Sequence, residues 1–254
     1  TALILASRQG HPKIIKLLLG GHAAVDLQTS KGTTALYEAS AAGHGSIVAQ
    51  LLAAGADHNQ RTVEGQLPLI AAIKGGHKEA VNELLNSGRS VDLSPDEFQD
   101  ISSAVVRMKD PQLLVKLLQP GKEEEISKMN AQNILWAAAD EGEPLTVKVM
   151  IANHTPLDLQ DRFGQTALIR AAMHGHKTVV DLLLKAGANP DISTLNGNTP
   201  LMLASNMGYE VLALKLIYAK AALNLRNHNG NTALMLAAES GSLECIKILL
   251  EYGA

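Results

Sequence analysis

The sequence predicts an all-α fold in which short helix-turn-helix units stack into a solenoid. Three observations predict it. Anchor residues recur every 33 positions through the 254-residue chain, at Ala2, Ala35, Pro68, Ile101, Ile134, Ala167, Pro200 and Ala233. Eight residues after each anchor stands a glycine, except after the fourth, where Lys109 replaces it. Sixteen and seventeen residues after each anchor comes an apolar pair, from Leu18-Leu19 to Leu249-Leu250. A fixed period in this range marks a repeat protein, because one unit cannot bury its own apolar face and relies on its neighbours. Such a chain offers a long surface and no enclosed pocket, which points to binding.

The sixth repeat illustrates the unit. Asp161 to Thr166 is polar with one glycine and reads as a turn. The Thr166 hydroxyl is suited to accept a backbone N–H at a helix start. Pro68 and Pro200 occupy the next position in the third and seventh repeats, where a first helical turn tolerates proline. A short first helix then runs from Ala167 to Met173 and closes at Gly175. Val179, Val180 and Leu182 to Leu184 give a second, more apolar helix that closes at Gly187. Four residues after the anchor the side chain is small in seven repeats, as in Ala39, Ala138 and Ala204. A methyl there lets first helices approach closely. Val105 is the exception. Asn196-Gly197 and Asn229-Gly230 place hairpin-type turn chemistry before the last two helix pairs.

Composition narrows the function. Hydrophobic residues reach 46% but aromatics only 3%, as thin layers of Leu, Ile, Val and Ala would require. A net charge of -3 and a pI near 6.3 give no basic footprint for nucleic acid. No run of eighteen apolar residues is present, so no membrane span is expected. The single cysteine, Cys245, cannot form an internal disulfide, which fits an intracellular compartment, cytoplasm or nucleus. The chain starts inside a repeat and ends on the apolar Leu249-Leu250 without a polar cap. It is therefore expected to be one continuous domain over residues 1–254, taken from a longer protein with repeats or a cap beyond each end.

The motif Gly164-Gln165-Thr166-Ala167-Leu168, Ala171-Ala172, Gly175-His176, Leu182-Leu183-Leu184, Gly187-Ala188-Asn189 resembles the ankyrin repeat. The resemblance covers the whole chain. It implies an L-shaped unit with antiparallel helices, a short β-hairpin finger at right angles, and a concave groove lined by fingers and first helices. The fourth and fifth repeats depart from the pattern. Phe98, Asp100, Ser102 and Lys109-Asp110 replace the turn glycine, Thr, Leu and Gly-His; Ala131 and Asn133 replace the glycine and Thr. Both keep the register, so they are read as folded repeats whose finger near Ser94 to Phe98 has a different local shape. Lys220 fills the glycine slot after a second helix, where a left-handed backbone costs roughly 1–2 kcal/mol. A rearranged loop is expected there.

Catalytic chemistry finds little support. His11, His44, His77 and His176 fall in the Gly-His slot and read as structural residues of the interhelical turn. His174 and His176 lack a third ligand at metal spacing. Cys245 lies in an apolar helix and reads as a buried hydrophobe. No phosphate loop, dinucleotide fingerprint or nucleophile elbow is present, so neither enzyme activity nor a cofactor is expected. The acidic run Glu123 to Glu125 reads as a solvated face or loop.

Carried onto this chain, the groove-facing positions of the resemblance include Tyr37 in the second repeat and Arg107 and Met108 in the fourth. Trp136, Asp140 and Glu141 follow in the fifth, then Arg170, Met173 and His174 in the sixth, and Asn206 and Met207 in the seventh. Finger positions add Arg162 and Phe163. Trp, Arg, Met and Phe are typical of interface hot spots. The expectation is a monomeric, non-enzymatic scaffold that binds a protein or extended peptide. Trp136 and Phe163 are its apolar anchors, and Arg107, Arg162 and Arg170 pair with carboxylates. For Trp136 the competing reading is a gap filler beside Ser102. The alternative function is a targeting or substrate-recruiting arm of an enzyme, channel or host-directed bacterial effector whose active domain lies outside this chain.

Overall fold

The computed structural model describes residues 1–88, 91–118 and 124–254. They divide into two compact units, Thr1–Glu124 and Glu125–Ala254. The first holds α1 (Ala2–Gln9), α2 (Pro12–Gly20), α3 (Ala35–Ala41), α4 (Gly45–Ala53), α5 (Pro68–Lys74), α6 (Lys78–Asn86), α7 (Pro95–Arg107) and α8 (Pro111–Leu117). The second holds α9 (Glu124–Glu141, all but its first residue), α10 (Pro144–Ala152), α11 (Ala167–Met173), α12 (Lys177–Lys185), α13 (Pro200–Asn206), α14 (Glu210–Tyr218), α15 (Ala233–Glu239) and α16 (Leu243–Glu251). Of the acidic run Glu123 to Glu125, Glu123 falls outside the described residues, and Glu124 and Glu125 begin α9 rather than a loop.

Each unit is layered as the period requires. In the first, α1 packs on α3, α3 on α5 and α5 on α7, while α2 packs on α4 and α4 on α6. In the second, α11, α13 and α15 form one row, and α10, α12, α14 and α16 another. The small slot is the close-packed seam: Ala39, Ala72, Ala138, Ala171, Ala204 and Ala237 are fully buried, and Val105 is buried with them.

Helix starts follow the threonine rule. Thr34, Thr166, Thr199 and Thr232 each accept a backbone N–H three residues on, which satisfies one orphan donor of the first turn. The histidines tie layers together. Nε2 of His44 bonds the Arg8 carbonyl at 3.1 Å, Nε2 of His77 bonds the Ala41 carbonyl at 3.1 Å, and Nε2 of His176 bonds the Asp140 carbonyl at 2.8 Å. Each caps the end of the preceding first helix. The glycine opposite must stay bare: a Cβ on Gly43 would lie 2.5 Å from the His77 ring, and the Gly43 φ of +79° is left-handed as well.

Fingers are tight turns closed by two backbone bonds each, such as Thr62 N to Gln66 O at 3.0 Å with Gly65 N to Thr62 O at 2.9 Å, and Asp161 N to Gln165 O at 3.1 Å with Gly164 N to Asp161 O at 3.0 Å. Neighbouring fingers share one backbone bond per layer, from Val63 N to Lys31 O, Leu195 N to Phe163 O and His228 N to Asn196 O. One rung per layer is too sparse for a ladder, and no strand forms among the described residues.

The fourth and fifth repeats replace the finger with helix. α7 is 13 residues long and α9 is 18, against 7 for α3, α5, α11, α13 and α15. Ser94 and Glu97 form a reciprocal capping box that starts α7 early, with Pro95 at its first turn. Phe98 then turns inward and is buried. Lys109 keeps the left-handed backbone of the glycine it replaces, at φ +52°.

The rearrangement expected at Lys220 does not occur. Lys220 adopts φ +68°, and the ordinary closing bond runs from Ala221 N to Leu216 O at 3.0 Å. His22 and His154 stand at the same slot with φ +58° and +56°. The surrounding layer fixes the backbone and the side chain accepts the strain.

Arg61 braces the edge of α7. Its guanidinium donates to Glu97 Oε1 at 2.5 Å, to the Gly65 carbonyl at 2.7 Å and to the Asp92 carbonyl at 2.7 Å. The Arg61 hydrogen bond holds the Glu97 carboxyl at about 2, well below the usual carboxylate value of 4.5. The folded value is depressed, so this contribution is complete above about 4.5 and fades as pH falls toward about 2. Both side chains are partly solvated, so it amounts to roughly 1 kcal/mol or less after screening. Glu97→Gln is therefore expected to cost the first unit measurable stability at pH 7 and progressively less as pH falls to about 3, by urea unfolding at each pH. A pH-independent cost would refute the ion pair as its source.

Candidate protein-interaction surface

In the second unit the first-helix and finger side chains converge on Arg170. It projects from α11 and its Nη2 donates to Asp161 Oδ2 at 2.5 Å, while Nη1 donates to Asp140 Oδ2. Asp161 is committed on its other oxygen, which accepts the Phe163 and Gln165 amides at 2.8 Å and shapes the fingertip. The guanidinium also lies 5.6 Å from the centre of the Trp136 ring. Burial pushes the Asp140 carboxyl up, against the opposing attraction of Arg170. One cation thus joins α9, a finger and α11. Arg170 and Asp140 were expected to meet a partner's charges; they are consumed inside the scaffold, because two carboxylates already surround the guanidinium.

The first unit carries the same device with its charges exchanged. Arg8 on α1 makes a double hydrogen bond to Glu38 on α3, at 2.8 and 2.9 Å. In both pairs the two residues are 30 positions apart. The slot pair therefore accepts an ion pair of either polarity.

Trp136 stands in the slot that Ile70, Ile169 and Met202 fill as buried residues. It is half-buried. Gln132, its amide turned to satisfy both partners, accepts Trp136 Nε1–H at 2.9 Å and donates to the Pro156 carbonyl at 2.8 Å. The indole is held by an amide and a cation of its own unit. Met108 is 5% exposed and offers nothing to a partner, a correction to its placement on the groove. It caps α7 as that helix closes, so its side chain turns into the core.

The other expected positions are open to different degrees. Tyr37 is half-buried and donates to Gln66 Oε1 at 2.8 Å. Met173 and Asn206 are half-buried. Arg107, Glu141, His174 and Met207 are exposed. Arg107 belongs to the first unit and the others to the second, so each is assigned to its own unit. Phe163 is 53% exposed, with the Arg162 guanidinium 4.8 Å above its ring. Sequence reasoning missed Leu195, which is 65% exposed and bonded through its amide to the Phe163 carbonyl. The signal was available: Leu195 stands 33 residues after Arg162, in a finger slot already read in the sixth repeat, and the residue in that slot pairs with the finger before it.

Among the described residues no group of three or more His, Cys, Asp or Glu is arranged to hold a metal, and no helix is long and apolar enough to cross a membrane. Cys245 is buried, and burial pushes its thiol up, away from nucleophilic use.

Comparison with known proteins gives a consistent fold. A family model described as ankyrin repeats (3 copies) matches residues 3–95, 102–194 and 179–254. The crystal structure of the human ASB11 ankyrin repeat domain is 26% identical, with a TM-score of 0.56 over 100% of this chain and 98% of that one. The ankyrin repeat domain of Bcl-3, described as a unique member of the IkappaB protein family, is 23% identical at the same TM-score over 98% of both chains, a likeness of fold. No curated protein matches the sequence.

Proposed function

We propose that this chain, which belongs to the ankyrin repeat family, is a non-enzymatic scaffold that binds a protein or an extended peptide. Domains of this family generally mediate protein–protein interaction. The observation that carries the placement is Phe163, an aromatic ring left half bare on a fingertip whose backbone is fixed by two hydrogen bonds to Asp161. Packing gives no reason for an aromatic there. A rigid, exposed aromatic is the kind of group that becomes a hot spot when a partner covers it.

Trp136 supports the surface from behind. Trp136→Ala is expected to lower stability, because it empties a core slot, so it cannot serve as a clean binding probe. The decisive variant is Phe163→Ala. We expect it to weaken a captured protein partner at least tenfold by calorimetry while the thermal midpoint stays within a degree or two. A partner that binds wild type and Phe163→Ala equally would refute the placement.

A further inference from the structure

Phe163 and Leu195 form one rung between two fingers, joined by the Leu195 N to Phe163 O bond of 3.1 Å. The other described rungs pair Lys31 with Val63 and Asn196 with His228. Among the described fingers, this is the rung with two bare apolar side chains, 53% and 65% exposed. The rung is rigid. Gly164 sits at φ +72°, and a Cβ on it would meet Leu195 N at 2.6 Å, so the two fingers touch only because that side chain is missing. A preformed apolar surface loses little freedom on binding.

The charge set directly against the rung is Arg162. Arg162 lies over the Phe163 ring and is exposed. Of the carboxylates on these loops, Asp161 is paired with Arg170 and holds finger amides, Asp191 is half-buried and accepts the Ala222 amide, and Asp158 is exposed and accepts the Asn189 amide. At the rung itself the fingertip shows an apolar pair edged by a guanidinium.

We propose that the Phe163–Leu195 rung with Arg162 selects an extended acidic peptide segment, seating an apolar side chain on the rung and an adjacent carboxylate on Arg162. This deepens the binding reading and rests on it. The carboxylate–guanidinium contact is exposed, so affinity should fall as salt rises.

The probe is a random linear-peptide library displayed on phage and selected on the whole chain. Enriched sequences should combine Asp or Glu with Leu, Ile or Phe. Fluorescence polarisation should show the tightest of them losing at least tenfold on Leu195→Ser and on Arg162→Glu, with thermal unfolding unchanged because both side chains are exposed. Enriched sequences that are basic, or acidic sequences indifferent to both variants, would overturn this specificity. Phe163→Ala would then still be free to weaken a captured protein partner, leaving the broader reading intact. No enrichment, together with no Phe163-dependent partner, would remove both.

Discussion

Phe98→Gly is expected to destabilise the first unit by about 4 kcal/mol, although it restores the residue that the repeat pattern places there. At this slot five other repeats carry Gly32, Gly65, Gly164, Gly197 and Gly230 at positive φ. In α7 the same slot lies inside a helix, and the Phe98 ring is 3% exposed. Removing it empties a core site and puts a flexible residue in a helix. Amide hydrogen exchange in α5 and α7, whose helices pack on each other, is the direct measurement. Exchange in both should accelerate sharply. A stabilised variant would mean that a finger is the preferred local structure and that the long helix is wrong.

Arg170→Ala should cost the second unit about 3 kcal/mol. The loss is not that of a surface ion pair, because Asp161 is 7% exposed at its side chain and Asp140 is 32% exposed. Taking the cation away leaves two carboxylates facing each other with poor access to water. Adding Asp140→Asn to Arg170→Ala should recover part of the loss, since it removes one stranded charge. Trp136 lies against the guanidinium and is the only tryptophan, so its fluorescence can follow urea unfolding of this unit. Arg162→Ala, which removes an exposed cation from the same finger, is the control and should change little. A cost for Arg170→Ala no larger than for Arg162→Ala would refute the strut.

Much of the architecture could be read from residue types at fixed intervals. The threonine slot sets helix starts because a hydroxyl satisfies an amide within its own turn. Glycine at the turn slots sets a left-handed backbone, and the surrounding layers impose the same conformation on Lys109 and Lys220. Phe98 announced that the finger near Ser94 would differ, but not that helix would replace it, and Ala131 was read only as a departure within a folded repeat. Ser94 and Glu97 stand at capping-box spacing in the sequence, a signal that pointed to an early helix start.

The candidate surface was less legible. Trp136, Arg170 and Met108 were assigned outward by slot, and all three have inward commitments. Their neighbours lie on other turns or layers: Asp140 is 30 residues before Arg170, and Asp161 is 9 before it. The converse holds for Leu195, whose exposure depends on a finger rung formed with the preceding repeat.

The sequence alone determined the repeat period, the positions of the short helices and the small-residue seam, because these follow from capping, backbone sterics and apolar spacing within one unit. Only the tertiary structure decided which charges are spent inside and which side chains stay bare. That choice depends on what the adjacent layer brings within about 3 Å, the reach of a hydrogen bond, and no local pattern encodes it.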